Sequence, residues 1–410
     1  MNKQNSLDVY IKLRFFSALF FSAIITVNLV YQATVVGLNP LQLVLVGTLL
    51  ETVCFVFEIP TGVVADLYSR KASVVIGIFL MGLGFIFEGA FPTFFAVLIA
   101  QIIWGIGATF ISGAREAWIA DEIGEQKTGK AFMKGQKANQ AGMFLGIVLS
   151  MILANTNIRL PIVIGGILYC LLSFSLALFM PEHNFKPTPV KRRETFGAMK
   201  KTFFRGMKAV RANKALLLII IVGTIFGMFS EGFDRLWTPF LIDNYSFPSI
   251  GNLKPVVWFG VISMAATVMA TIMIGIIDRK TDTNDRKSIA HSLILTNLFL
   301  PVSVIVFALS GNFLFAAFAY CFAFMFKEVI GPLSDSWINH NLEPDVRATV
   351  FSFYSQMNSF GQIVGGPILG VIATVISIKA GIVVAGLILV PSAFIYLRVL
   401  KEDGLKEAKV

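Results

Sequence analysis

Ala117-Trp118-Ile119 and Ser336-Trp337-Ile338 lie 219 residues apart, each toward the end of a long apolar run. The same offset carries Asn139 to Asn358, Gly142 to Gly361 and Gly146 to Gly365 in the next run of each half. A single match between apolar segments is expected by chance. One offset that holds across two consecutive segments points instead to an internal duplication. Working outward from these stretches, apolar runs bounded by charges, Pro or Gly number twelve. They cover about 9–35, 41–66, 72–90, 93–121, 128–155 and 159–181, then 214–242, 253–278, 287–309, 311–340, 346–376 and 379–400.

Composition says what solvent these runs meet. Hydrophobic residues make up 56% of the 410 residues and charged residues 14%, against about 25% charged in a soluble domain. Such a chain cannot cover its surface with polar groups, so its surroundings are lipid. A hydrocarbon core about 30 Å thick is crossed by about 20 helical residues. Every backbone polar group there has to be paired within its own segment, which selects helices. The expectation is an all-α membrane protein of twelve transmembrane helices in two pseudo-equivalent six-helix bundles. The bundles are placed at 1–181 and 214–410, with a basic linker at 182–213 that carries Lys186, Lys191, Arg192, Arg193, Lys200, Lys201, Arg205, Lys208 and Arg211. Duplicated bundles of this kind imply a transporter with a site between its halves.

The positive-inside bias orients the chain. With both termini in the cytoplasm, the outward loops hold only Arg159, Lys254 and Lys379, while Arg115, Arg235 and Lys327 lie within spans. The remaining Lys and Arg residues fall on the cytoplasmic side. The net charge of +10 is therefore an orientation signal and a contact with anionic lipid, and no nucleic-acid partner is expected. The first span is too long for the h-region of a signal peptide. Cys54, Cys170 and Cys321 sit inside apolar runs without a CxxC spacing. Three histidines and no HExxH leave no metal site to expect, and no phosphate loop or nucleophile elbow is present. The reading is therefore of a non-enzyme, with no catalytic residues, no metal and no cofactor.

Charges inside a bilayer are costly, by roughly 2.5–3.5 kcal/mol each on an insertion scale, so each needs a reason. Glu51 and Glu58 are seven residues apart on one face of the second span. Glu231, Asp234 and Arg235 fall within one turn of the seventh, and Lys327 and Glu328 near the middle of the tenth. These seven are the candidates for coupling substrate to protons, because burial favours the protonated form of a carboxylate and brings it within reach of a proton gradient. The competing structural reading pairs Glu231 with Arg235 at i,i+4 and Lys327 with a neighbouring acid. Arg115, Glu116 and Asp335, the last two equivalent at the 219 offset, lie nearer the cytoplasm and suit gating or structural roles. Glu88, close to the outer end of the third span, is expected to snorkel. Trp118 and Trp337 are expected as interface anchors, and most of the 39 phenylalanines as lipid-facing.

The loop after the second span reads Gly62-Val63-Val64-Ala65-Asp66-Leu67-Tyr68-Ser69-Arg70-Lys71. It resembles the G-x-L-A-D-R-x-G-R-K signature of the major facilitator superfamily, with Leu67 in place of the usual basic residue and Ser69 in place of the usual Gly. Gly62 is expected to let two helices approach closely. The resemblance implies that Asp66 faces the eleventh helix, starting near Arg347, as a latch closing the cytoplasmic side, and that Asp121 pairs with Arg70. Thr109 to Glu122, Glu231 to Trp237 and Gly361 to Pro367 are similar to a drug-efflux branch of that superfamily, which includes macrolide and tetracycline exporters. Two positions depart from it. Gln101 stands where drug antiporters carry an Arg, and no Pro follows Gly142 and Gly146 in the fifth span.

These readings imply a monomeric secondary transporter of the cell membrane, with a small-molecule substrate, protons and the lipid bilayer as its partners. The favoured activity is proton-coupled efflux of hydrophobic, cationic drug-type compounds. The alternatives are transport of a specific metabolite, lipid or peptide, or a receptor or scaffold that has lost transport.

Overall fold

The computed structural model describes residues 3–187, 204, 207, 210, 214–249, 251–282, 285–340 and 344–407. Most of the basic linker, Lys191 to Lys201 included, lies outside the described residues, as do the side chains at the start of the eleventh span, Arg347 among them. The described residues form thirteen helices and no strand. They are α1 (Lys3–Thr34), α2 (Pro40–Leu67), α3 (Arg70–Ala90), α4 (Phe94–Ile111), α5 (Ala114–Ile123), α6 (Glu125–Thr156) and α7 (Arg159–Phe179), then α8 (Lys214–Asn244), α9 (Val256–Lys280), α10 (Arg286–Leu309), α11 (Phe313–His340), α12 (Pro344–Val375) and α13 (Ile378–Glu407). Among the described residues, twelve segments are long and apolar enough to span a bilayer.

Thirteen helices serve twelve spans because the fourth span is broken. Gly113 holds φ 71° between α4 and α5, a left-handed conformation open to Gly at little cost. The helix stops at Ser112 and restarts at Ala114. Elsewhere the local rules apply in the usual way. Ser69 caps α3 by accepting from the Ala72 N–H, Thr93 caps α4, and Asp285 caps α10 with bonds from two backbone amides. Pro60, Pro239, Pro301, Pro332, Pro367 and Pro391 sit inside helices. Spanning helices tolerate them because neighbouring groups satisfy the freed carbonyls.

The chain falls into two compact units. The first holds α1, α2 from Leu49 onward, α3 to α7, and residues 248–261, which open α9. The second holds residues 39–48, which open α2, together with α8, the rest of α9 and α10 to α13. Each unit thus takes in the start of a helix whose remainder belongs to the other.

Within the units the duplicated glycines serve the same end. A Cβ at Gly142 would overlap the carbonyl of Phe15, and one at Gly146 that of Leu19, so α6 crosses α1 backbone to backbone. In the second unit Gly361 meets the Thr224 carbonyl and Gly365 the Met228 backbone in the same way, joining α12 to α8. Without a hydrophobic driving force between helices in lipid, close contact through small residues is what holds them. Other large side chains are mostly exposed and point outward, such as Phe95, Phe174, Phe179 and Phe394.

The two tryptophans are not interface anchors. Trp118 is 1% exposed and donates from Nε1 to the carbonyl of Pro181 at 2.6 Å. Trp337 is buried in the core of the second unit with Leu216, Ile219, Val350 and Tyr396. With its N–H satisfied inside the protein, the Trp118 indole gains more from packing than from a headgroup.

Candidate functional site

In the second unit α8 and α11 bring four ionisable side chains together. Arg235 Nε donates to Glu231 Oε1 at 3.0 Å, one turn apart on α8. Lys327 on α11 donates from Nζ to both oxygens of Asp234, at 2.6 and 2.5 Å. The four charges balance, which lowers the cost of keeping them away from water. Their exposures differ, however. The Glu231 side chain is 7% exposed and that of Asp234 41%. Glu328, next to Lys327, is exposed. Beside the pairs the rings of Trp237 and Tyr320 stack 4.1 Å apart, and Phe233 and Phe307 complete an aromatic wall with Tyr320.

The burial of Glu231 has a specific cause in the start of α2. A Cβ at Gly47 would overlap the Glu231 carboxylate and the Arg235 guanidinium, so a larger residue there would push the ion pair aside. A Cβ at Gly366 on α12 would come within 2.8 Å of Thr48 Oγ1 and 3.1 Å of Glu231 Cγ. Leu41 N donates to Thr374 Oγ1 at 2.9 Å. Residues 39–48 therefore form a cover over the Glu231–Arg235 pair, held on α8 and α12.

Glu51 and Glu58 lie further along α2, in the first unit. Glu58 is exposed and accepts from Ser112 Oγ at 3.1 Å, the residue at the break between α4 and α5. Glu51 is part-exposed. At the α2–α3 turn Arg70 donates to Asp121 Oδ2 at 2.5 Å and to the Ala117 carbonyl at 2.8 Å, and lies 3.6 Å from Asp66. Arg115 donates twice to Glu116 Oε1, at 2.9 and 2.7 Å, and Arg14 reaches the same oxygen at 3.5 Å. Asp335, the counterpart of Glu116, is exposed on α11.

Two expectations are corrected here. Gly62 makes no close helix contact among the described residues. A Cβ there would meet nothing within 4 Å among the described residues. Glu88 does not snorkel. It is fully buried, with Oε1 accepting from Asn28 Nδ2 at 2.9 Å and Gln32 Nε2 at 2.7 Å, and Oε2 from Gln101 Nε2 at 3.5 Å. The amide donors give the carboxylate inside the protein what snorkelling would give it in water.

Two further acids had no signal in their own spans. Glu122, 3% exposed, accepts from Ser6 Oγ and from the backbone amides of His183 and Asn184. Glu182 accepts from Ser69 Oγ at 2.6 Å and Lys71 N at 2.8 Å. Between them they pin residues 182–184, Glu122 to the end of α5 and Glu182 to the start of α3. Glu88 did leave a trace in the sequence: Asn28 and Gln32 are amides four apart on one face of an otherwise apolar helix.

Twelve spanning helices built from a repeated six-helix pattern, with paired charges inside them, define a multi-pass membrane transporter. Residues 13–322 match the sequence profile of the Major Facilitator Superfamily, and the chain belongs to that family. It is 28% identical over 371 residues to the uncharacterized MFS-type transporter YxaM of Bacillus subtilis (strain 168), covering 89% of this chain and 90% of that one. It is also 27% identical over 237 residues to Multidrug resistance protein 1 of the same organism, covering 55% of this chain and 57% of that one. Among solved structures, the nucleoside transporter NupG (D323A mutant) superposes with a TM-score of 0.77 at 14% identity, covering 96% of this chain and 99% of that one. At that identity the likeness concerns the fold.

Proposed function

We propose that this protein is a proton-coupled exporter of hydrophobic, cationic drug-type compounds, working by alternating access in the cell membrane with both termini in the cytoplasm. The observation that carries the coupling is the Glu231–Arg235 pair beneath Gly47. While residues 39–48 cover it, Glu231 keeps its charge only by virtue of Arg235. When they leave, water reaches both groups, the pair loosens, and Glu231 can exchange a proton with the exposed side. Conformation and protonation are then linked, as antiport requires. Asp234 and Lys327 keep the neighbouring charge balanced throughout.

The drug-type substrate class is supported by the similarity to Multidrug resistance protein 1 and by the aromatic wall at Trp237 and Tyr320, which suits a flat apolar body carrying a positive charge. Arg235 and Lys327 favour a second reading, an anionic or zwitterionic metabolite held by one of the two cations in exchange for its acid partner. On the terminal side, Arg70 with Asp121 and Asp66 serves as the corresponding latch. The test is reconstitution into vesicles with an imposed pH gradient and a panel of lipophilic cations, nucleosides, peptides and organic anions. Several unrelated lipophilic cations should move against the proton gradient. Gradient-driven movement of one anionic or zwitterionic compound alone would establish the second reading in its place. Transport that ignores the pH gradient would end the proton reading.

A further inference from the structure

We propose that Arg14 and Arg115 form a binding site in the first unit for an oxyanion, the carboxylate or phosphate group of a small solute or of a lipid. Three helices supply it. Arg14 stands on α1, Arg115 and Glu116 in the first turn of α5, and Gln136 and Asn139 on α6. All five fall inside segments long and apolar enough to span the bilayer, where an arginine without a countercharge is costly. Arg115 donates from Nε and Nη2 to Glu116 Oε1, and Arg14 Nη1 lies 3.5 Å from the same oxygen. Among the described residues no other acid touches either arginine. One carboxylate serves two guanidinium groups, so the cluster keeps a surplus of positive charge.

The groups left short of partners are donors. Arg14 spends Nη2 on the side-chain oxygen of Gln136 at 3.0 Å, and its Nε is buried without an acceptor. Its contact with Glu116 is at the outer limit of a hydrogen bond. Asn139, one turn further along α6, donates to the thioether of Met143 at 3.4 Å, a weak acceptor. α5 starts at Ala114 with no side-chain cap, which adds the positive end of a helix in the turn that carries Arg115.

An oxyanion supplies what this cluster lacks. Its paired oxygens suit the parallel N–H groups of a guanidinium, and its charge offsets the surplus. Glu116 is then the competitor that occupies the arginines until an anion displaces it. Its side chain is 36% exposed and can turn to water, whereas Arg14 at 14% and Arg115 at 21% are held more deeply. A closed structural triad behaves in the opposite way, because removing its acid disorganises the arginines. Nothing here draws on Glu231 or on a proton gradient, so the site stands apart from the proton-coupled reading above.

The test uses the full-length protein in phosphatidylcholine nanodiscs, melted in inorganic phosphate or benzoate against chloride at matched ionic strength. Phosphate or benzoate should raise the wild-type melting temperature in a saturable way. Arg14→Gln and Arg115→Gln should each weaken the apparent affinity by about tenfold or more, and Glu116→Gln should strengthen it by about tenfold. Arg115→Gln carries the test if Arg14→Gln does not fold, and Arg279→Gln at the end of α9 should bind as the wild type does. Phosphatidylglycerol nanodiscs separate the two sources. A wild type that stops responding to the solutes there has its site filled by the headgroup, and an unchanged response assigns the site to a solute. Three results would overturn the proposal. One is equal melts in all three salts, with no phosphatidylglycerol stabilisation lost in the arginine variants. Another is a shift that persists in both arginine variants, which marks adventitious binding elsewhere. The third is loss of binding in a folded Glu116→Gln, which makes the three side chains a structural triad.

Discussion

Removing either member of the Glu231–Arg235 pair should have unequal consequences. Glu231→Gln keeps an acceptor oxygen for Arg235 Nε, so a charge-assisted hydrogen bond becomes a neutral one, a loss of about 1–2 kcal/mol. Arg235, 19% exposed in its side chain, retains some access to water. Arg235→Gln leaves the carboxylate of Glu231, 7% exposed and covered by Gly47, without its cation. Breaking a buried pair from that side costs about 3–5 kcal/mol. The double variant should recover much of this, because the two glutamines can hydrogen-bond and no lone charge remains. Equilibrium unfolding in mixed micelles gives the three values, and the difference between the double variant and the sum of the singles gives the coupling. In vesicles, Glu231→Gln should exchange substrate down its own gradient but fail to concentrate it with a pH gradient. Equal costs for the two single variants, or a double variant equal to their sum, would show that Glu231 does not depend on Arg235. Coupling that survives in Glu231→Gln would end its role as proton carrier.

At the α2–α3 turn, Asp121→Asn should lower the melting temperature more than Asp66→Asn. Asp121 lies 2.5 Å from Arg70, whereas Asp66 is 3.6 Å away and 55% exposed, in the range where ion pairs contribute about 0–1 kcal/mol. A larger shift for Asp66 would place the latch elsewhere. Gly62→Ala should be neutral or slightly stabilising in thermal melts, since Ala is the better helix former and its methyl meets open space. Gly142→Ala, by contrast, should destabilise by about 1–3 kcal/mol through overpacking against Phe15, and similar melts for the two would contradict that contrast. Glu122→Ala removes an acceptor shared by Ser6, His183 and Asn184 and should speed proteolysis at residues 183–187, measured by fragment mapping; unchanged cleavage would mean that the backbone is held by other groups.

The sequence by itself determined the solvent, the number of spans and the duplication, because each depends on quantities that add along a chain. Apolar length decides whether a helix crosses lipid, and the 219-residue offset survives whatever the helices do in space. It also singled out Glu231, Asp234, Arg235 and Lys327, since a charge in an apolar run needs no neighbours to be conspicuous. Which side of each helix meets protein was another matter. In water a polar face marks the outside, but in lipid both faces are apolar, so periodicity did not distinguish Trp118 in the core from an indole at the headgroups. The pairing of Asp234 with Lys327, 93 residues apart, is set by the crossing of α8 and α11. The enclosure of Glu88 by amides from α1 and α4 and the seating of Gly47 on Glu231 likewise depend on helices meeting at one depth. Only the tertiary structure decided these, because hydrogen bonds and close backbone contacts act over about 3 Å and join residues far apart in the chain.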